Sequence, residues 1–318
     1  MPANINWFPG HMRKALRLIE DKLKLVDIVI ETCDARIPFS SRNPELNSIL
    51  NNKRRLLILN KADLADEKMT AAWIAYYKER GIVAVPSDAS HRKGLDQIRN
   101  NAQLICADML ERAKNKGRIG RPVRAMVVGI PNSGKSTLIN ALCNRKIAVT
   151  GDRPGVTRGF QWARSDSFLE LMDMPGVLWP NLGSRRSQLC LTLTGAVKTE
   201  VVEVTDVAME GMVILMERYP AELCARYKLP LPGSADYVEE PYERLLLAAK
   251  NRGCILSGGR IDEEKFSSLF LDDFRNGRIG RITLEMPDRP TPKAEPVKDQ
   301  EPAYEQEPVK DQEMQQEG

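Results

Sequence analysis

Arg-Ala-Met-Val-Val-Gly-Ile-Pro-Asn-Ser-Gly-Lys-Ser-Thr, residues 124–137, is the stretch whose reading decides the fold. Its first five residues are a short, partly β-branched apolar run of the kind that forms a buried strand, and Leu138 to Leu142 continue the chain as a helix. Between them Gly129 and Gly134, followed by Lys135 and Ser136, have the spacing of a loop whose backbone N–H groups surround a phosphate at a helix N-terminus. In such a loop Lys135 reaches the β- and γ-phosphate oxygens and Ser136 holds Mg2+, while Asn132, Ser133, Gly134 and Thr137 complete the nucleotide-binding set. Strand, loop and helix in register predict an α/β phosphate-loop fold.

Upstream, the strand-like run Arg55 to Leu59 ends in Asn60-Lys61-Ala62-Asp63, at the strand end where doubly wound sheets bind ligands. An aspartate there accepts two hydrogen bonds from the guanine N1–H and N2–H groups, which adenine does not offer. A site built for those donors rejects a base lacking them by up to ~10⁴–10⁵. Val83 to Val85 lead into Pro86-Ser87-Asp88-Ala89, a second base-side loop in which Ser87 and Asp88 are the candidates. Downstream, Leu169 to Met172 run into Asp173-Met174-Pro175-Gly176, setting Asp173 for Mg2+ and the Gly176 N–H for the γ-phosphate. Between the phosphate-contacting segments, Thr157 in the turn-rich loop 151–158 is placed to complete the Mg2+ shell when GTP is bound. GTPase domains usually open with the phosphate loop and close with the base-reading motif. Here the base motif comes first, so the parts are those of a circularly permuted GTPase domain.

Val177 stands where many GTPases carry the glutamine that orients the attacking water, and an apolar side chain cannot do that work. Only two histidines are present: His91 in the polar loop 89–94, read as solvated, and His11 in the aromatic segment Trp7 to Met12 ahead of a helical stretch from Arg13 to Leu25. The chain of 318 residues is 42% hydrophobic and 28% charged, enough for a substantial core. It has no secretory signal and no run near ~18 apolar residues, which excludes a membrane-spanning helix from the reading. Six cysteines without Cys-x-x-Cys spacing argue for reduced thiols in a cytoplasmic protein and against a zinc site.

Alternating strand and helix patterns up to residue 182 read as a doubly wound α/β domain, 1–182. Apolar residues at helical spacing in Val207 to Glu217, Pro241 to Asn251 and Asp262 to Phe274, with Asp262 as an N-cap, predict a smaller helical domain over 183–290. A chain ending near residue 182 keeps the nucleotide site on this reading. Residues 291–318 hold eight acidic and three basic side chains and repeat Glu-Pro-Val-Lys-Asp-Gln-Glu at 295 and 307, a composition that predicts a disordered acidic tail. Two basic stretches suit RNA phosphate: Arg112, Lys114, Lys116, Arg118, Arg121 and Arg124, and Arg275, Arg278 and Arg281.

Trp7-Phe8-Pro9-Gly10-His11-Met12, Asp34-Ala35-Arg36-Ile37-Pro38, Ser40-Ser41-Arg42-Asn43-Pro44, the permuted guanine motifs, Gly151-Asp152-Arg153-Pro154-Gly155 and Ser257-Gly258-Gly259 together resemble the ribosome biogenesis GTPase A family over about residues 4–287. The resemblance implies a cytoplasmic GTPase acting in late assembly of the large ribosomal subunit, with the precursor particle and its rRNA as partners and His11 as catalytic residue. Ser133 and Met174 stand where relatives often carry Val and Thr. Asn132 matches an asparagine that helps hold K+ in potassium-activated GTPases with a similar loop. Off the particle a monomer is expected. Two other readings stay open from the residues: a GTP-latched RNA-binding module with negligible hydrolysis, and a GTPase of tRNA metabolism.

Overall fold

The computed structural model describes residues 10–50, 53–145, 161–165, 168–198 and 202–287, with the side chains of His11 and Gln161 left out. Six strands form one sheet: β1 (Ile28–Asp34), β2 (Arg54–Asn60), β3 (Ala84–Ser87), β4 (Val123–Gly129), β5 (Gln161–Arg164) and β6 (Leu169–Asp173). Their order is β3-β2-β1-β4-β6-β5, parallel throughout except for β5, which runs antiparallel to β6. Register aligns the ends that matter: Asp34 pairs with Asn60, Asn60 with Ser87, Thr32 with Gly129, and Val127 with Asp173. The nucleotide motifs therefore share one edge of the sheet, as the α/β phosphate-loop fold requires.

Because a strand's side chains alternate, successive residues feed different cores. Ile28 and Ile30 of β1 join Leu56, Ile58 and Val127 beneath α4 (Leu95–Ile105) and α6 (Lys135–Cys143). Cys33, Leu57 and Leu59 pack on Trp73 and Tyr77 of α3 (Glu67–Glu79). On the opposite side Val29, Met126, Val128 and Met172 meet α1 (Gly10–Lys22) and a second group of helices: α7 (Arg185–Leu193), α8 (Val204–Arg218), α9 (Pro220–Tyr227), α10 (Pro241–Asn251) and α11 (Glu263–Arg275). Short α2 (Pro44–Ile49) and α5 (Ala107–Asn115) complete the α-helices among the described residues, and a 3-10 turn, Leu23–Leu25, follows α1.

The expected boundary near residue 182 marks where strands give way to helices, yet one apolar core runs across it. Met126 and Met172 of the sheet, Val177, Leu178 and Leu182 of the connection, and Phe266, Phe270 and Phe274 of α11 belong to one cluster. The described residues accordingly form one compact unit. The expected acidic tail, 291–318, lies outside the described residues. Between α4 and α5 the chain breaks at Cys106, which with φ −101° and ψ 7° ends α4, its amide shared between the carbonyls of Ala102 and Gln103. Asp262 caps α11 as expected, accepting from the Lys265 amide. No helix among the described residues is long and apolar enough to cross a membrane.

Candidate nucleotide site

The phosphate loop leaves β4 at Gly129, whose φ of +151° suits glycine and whose Cβ, were one present, would lie 2.4 Å from the Thr32 carbonyl oxygen. Ser133 lies between Thr32 Oγ1, at 2.8 Å, and the Ile130 carbonyl, to which its hydroxyl donates at 2.9 Å. Gly134 starts α6 with no side-chain cap, so the first-turn amides are left for an anion. Lys135 is buried, and its ammonium donates to the Ile130 carbonyl at 2.8 Å. Burial pulls its pKa down to about 8, the charge of Lys61 acts in the same direction, and Asp173 opposes both. Thr137 lies half-buried in the same helical turn.

Across from the loop, β6 delivers Asp173. The Ser136 hydroxyl donates to Asp173 Oδ2 at 3.3 Å, while buried Oδ1 has no hydrogen-bond partner among the described residues. Burial raises the Asp173 pKa, opposed by Lys135, Ser136 and the Met174 amide. A buried carboxylate oxygen without a donor, beside a serine hydroxyl and a lysine, is a donor set that fits a hard divalent cation held next to phosphate. Gly176 rides against the loop: a Cβ there would meet Lys135 Nζ and Pro131 Cα, each at 2.9 Å. The Val177 amide donates to the Gly129 carbonyl at 3.2 Å, and its side chain is buried in the core.

At the base end, Asn60 engages both ends of its amide inside the protein. Nδ2 donates to the Ser133 carbonyl at 2.9 Å and Oδ1 accepts from the Ala89 amide at 3.3 Å. One residue thus ties the phosphate loop to both base-side loops, and Gly134 must lack a Cβ because that atom would lie 2.1 Å from Asn60 Nδ2. Lys61, at φ +58°, sends its ammonium to Asp34 at 3.2 Å. Ser87 donates to the Lys93 carbonyl within its own loop. Asp88 accepts from the His91 amide and faces His91 Nδ1 at 2.8 Å. His91 is therefore more than a solvated loop residue, though its side chain is 69% exposed. Asp63, the one carboxylate of the tetrapeptide, is half-buried near Asp88 and His91.

Thr157 lies outside the described residues. The backbone of His11 belongs to the first turn of α1, one turn earlier than the sequence suggested, and its side chain is not described. Asn132, at φ +58°, donates from Nδ2 to the Gly195 carbonyl at 2.7 Å, linking the phosphate loop to the segment after α7.

The second basic stretch is not a free cationic surface. Arg275 donates to the carbonyls of Thr192 and Leu193, Arg278 pairs with Asp272 and Asp273, and Arg281 bonds the carbonyls of Ala62 and Ala65 and pairs with Glu67. The signal was in the sequence: Gly-Arg-Ile-Gly-Arg occurs twice, at 117–121 and 277–281. Ile279 is 6% exposed in the packed copy, against 83% for Ile119 in the other. Around Ile119, Lys114, Lys116 and Arg118 are exposed, and their side chains have no hydrogen-bond or ion-pair partner among the described residues.

Residues 124–217 match a family model described as 50S ribosome-binding GTPase. The chain is 44% identical over 284 residues to ribosome biogenesis GTPase A of Bacillus cereus, covering 89% of this chain and 94% of that one. It is 30% identical to ribosome biogenesis GTPase A of Thermotoga maritima over 91% of this chain and 97% of that one. Among solved structures it is similar to a GDP-bound YlqF, with TM-score 0.61 and 26% identity, covering 85% of this chain and 98% of that chain. The GNP-bound YlqF of T. maritima gives TM-score 0.58 at 27% identity, covering 86% and 99%. A phosphate loop, a guanine motif and an Asp-x-x-Gly segment assembled on one sheet edge in permuted order agree with these likenesses, and the chain belongs to the ribosome biogenesis GTPase A family.

Proposed function

We propose that this GTPase binds a large-ribosomal-subunit precursor in its GTP state, in the cytoplasm, and leaves after hydrolysis. The observation that carries the reading is the cross-linked site itself. Asn60 holds the base loops to the phosphate loop, and buried Lys135 and Asp173 face each other without enough internal partners to balance them. Asp63 accepts from the guanine edge; the loop amides and Lys135 hold the phosphates; Gly176 keeps the following segment close to the γ-phosphate end. Ser136, Asp173 and Thr157 would hold Mg2+, which neutralises phosphate charge when bound. Asn132 would share in a K+ site, with hydrolysis faster in potassium than in sodium.

Val177 is apolar and buried, so the attacking water needs another group, and His11 at the start of α1 is our candidate. His11→Ala is expected to keep GTP affinity and lower particle-stimulated hydrolysis by ~10². For rRNA we favour the exposed stretch from Lys114, at the end of α5, to Arg118, since the arginines of the packed copy already hold the protein together. Single-turnover GTP hydrolysis with and without precursor particles tests the whole reading: strong stimulation supports it, and equal rates would reject it.

A further inference from the structure

We propose that Arg281, in the segment after α11, is a positioning residue for guanine recognition, so that base affinity depends on the C-terminal helices. The proposal rests on the assignment of Asp63 to the guanine edge. Arg281 Nη2 donates to the Ala62 carbonyl at 3.1 Å and Nε to the Ala65 carbonyl at 2.8 Å. Those two carbonyls bracket Asp63. A guanidinium is a rigid planar fork, so holding both carbonyls fixes the curvature of the loop between them. Its further pair with Glu67 is exposed and adds little.

Neighbouring bonds act on the same loop. The Ile282 amide donates to the Leu64 carbonyl at 3.0 Å, and Thr283 Oγ1 accepts from the Asp66 amide at 3.1 Å. Gly277 passes so close that a Cβ there would lie 2.8 Å from Leu64 Cδ2. On the other side Lys61 is held by Asp34, which takes a bidentate pair from Arg36. Arg36 in turn donates to the carbonyls of Phe274 and Arg275, the last of α11. The base-reading tetrapeptide is thus gripped from both sides by groups that depend on α11, although more than 200 residues separate them in sequence.

Two hydrogen bonds accepted by one carboxylate from N1–H and N2–H tolerate little displacement. Inosine lacks the exocyclic amine and needs only one of them, so the ratio of GDP to IDP affinity reports how well Asp63 is held. Arg36 is buried and its replacement endangers the fold; half-exposed Arg281 therefore carries the test, with melting curves to verify folding.

The full chain would be titrated calorimetrically with GDP, IDP and XDP as the parent protein and as Arg281→Gln, Arg281→Lys, Arg278→Gln and Asp63→Asn. Arg281→Gln is expected to narrow the GDP:IDP ratio about tenfold, and Arg281→Lys, which loses the fork, to fall between. Arg278→Gln removes pairs to Asp272 and Asp273 only and is expected to lower the melting temperature while keeping the ratio. An unchanged ratio in Arg281→Gln would overturn the proposal, as would an equal narrowing in Arg278→Gln, which would mean general loosening. If Asp63→Asn gains XDP affinity while Arg281→Gln keeps the ratio, positioning alone fails. If Asp63→Asn changes no base preference, the guanine assignment fails and takes the positioning with it.

Discussion

At the residue scale, Asn60 is committed to Ser133 and Ala89, so Asp63 is the residue we propose chooses the base. Asp63→Asn exchanges an acceptor for a donor on one side of the carboxylate. GTP affinity is expected to fall at least ~10²-fold and xanthosine triphosphate affinity to rise, measured by competition binding. Unchanged GTP affinity would take Asp63 out of the base site. Gly134 offers a second check, since at φ +86° its missing Cβ leaves room for the Asn60 amide. Gly134→Ala is expected to abolish GTP binding in the parent and to cost less in an Asn60→Ala background, where the colliding amide is gone. Equal losses in both backgrounds would leave only backbone strain. Spacing alone singled out Lys135, Ser136, Asp173 and Asp63, because each belongs to a short motif, and the fold brings Lys135, Ser136 and Asp173 together. Spacing did not reveal that Asn60 is a strut, because Ser133 and Ala89 sit on loops that only the folded sheet brings beside it.

At the element scale, α11 is where the sheet and the C-terminal helices meet, and its ends are electrostatically committed. Burial pushes the Asp34 carboxyl up, but the charges of Arg36 and Lys61 and the bonds from Arg36 overcome it and hold the carboxyl well below the usual range. Asp273 is likewise held low, with burial outweighed by the bonds from Arg226. A carboxylate whose folded pKa is depressed stabilises the protein above its unfolded value, about 4, and that contribution is lost as pH falls through the folded value. Half-buried Glu285, whose carboxyl is raised by desolvation, works in the opposite sense, stabilising the fold at low pH. Asp34→Asn is expected to cost about 3–5 kcal/mol at pH 7, because Arg36 stays buried without its counter-charge, and to flatten the acid limb of melting temperature against pH. A variant with the parent's acid slope would mean that Asp34 is not the group responsible. Long periodic segments such as α8, α10 and α11 were legible because each buries an apolar stripe. Helices α7 and α9 were not, since each is shorter than ten residues and owes its burial to neighbours distant in sequence.

At the scale of the whole molecule, permutation ties chemistry to the helices. The chain passes from Asp173 through Gly176 into Val177, Leu178, Trp179 and Leu182, all four buried in the core that α7 to α11 complete. Reading the strands and helices as separable units led to the expectation that residues 1–182 would bind GTP unaided. The packing argues otherwise. Ending the chain there would uncover Met126, Val128 and Met172 on the sheet and Ile19 on α1, remove the carbonyls that hold Arg36, remove Gly195 from Asn132, and remove Arg281 from the base loop. Uncovering that much apolar surface costs on the order of 25 cal/mol per Å², enough to exceed the margin of a typical domain. Residues 1–182 are therefore expected to be poorly folded, with GTP affinity reduced at least ~10²-fold, whereas residues 1–290 keep full affinity and particle stimulation. Circular dichroism melting and GTP titration on both chains would decide the matter. A cooperatively folded 1–182 fragment with the parent's GTP affinity would show that the nucleotide site is independent of α11, and the dependence of base affinity on the C-terminal helices would have to be given up.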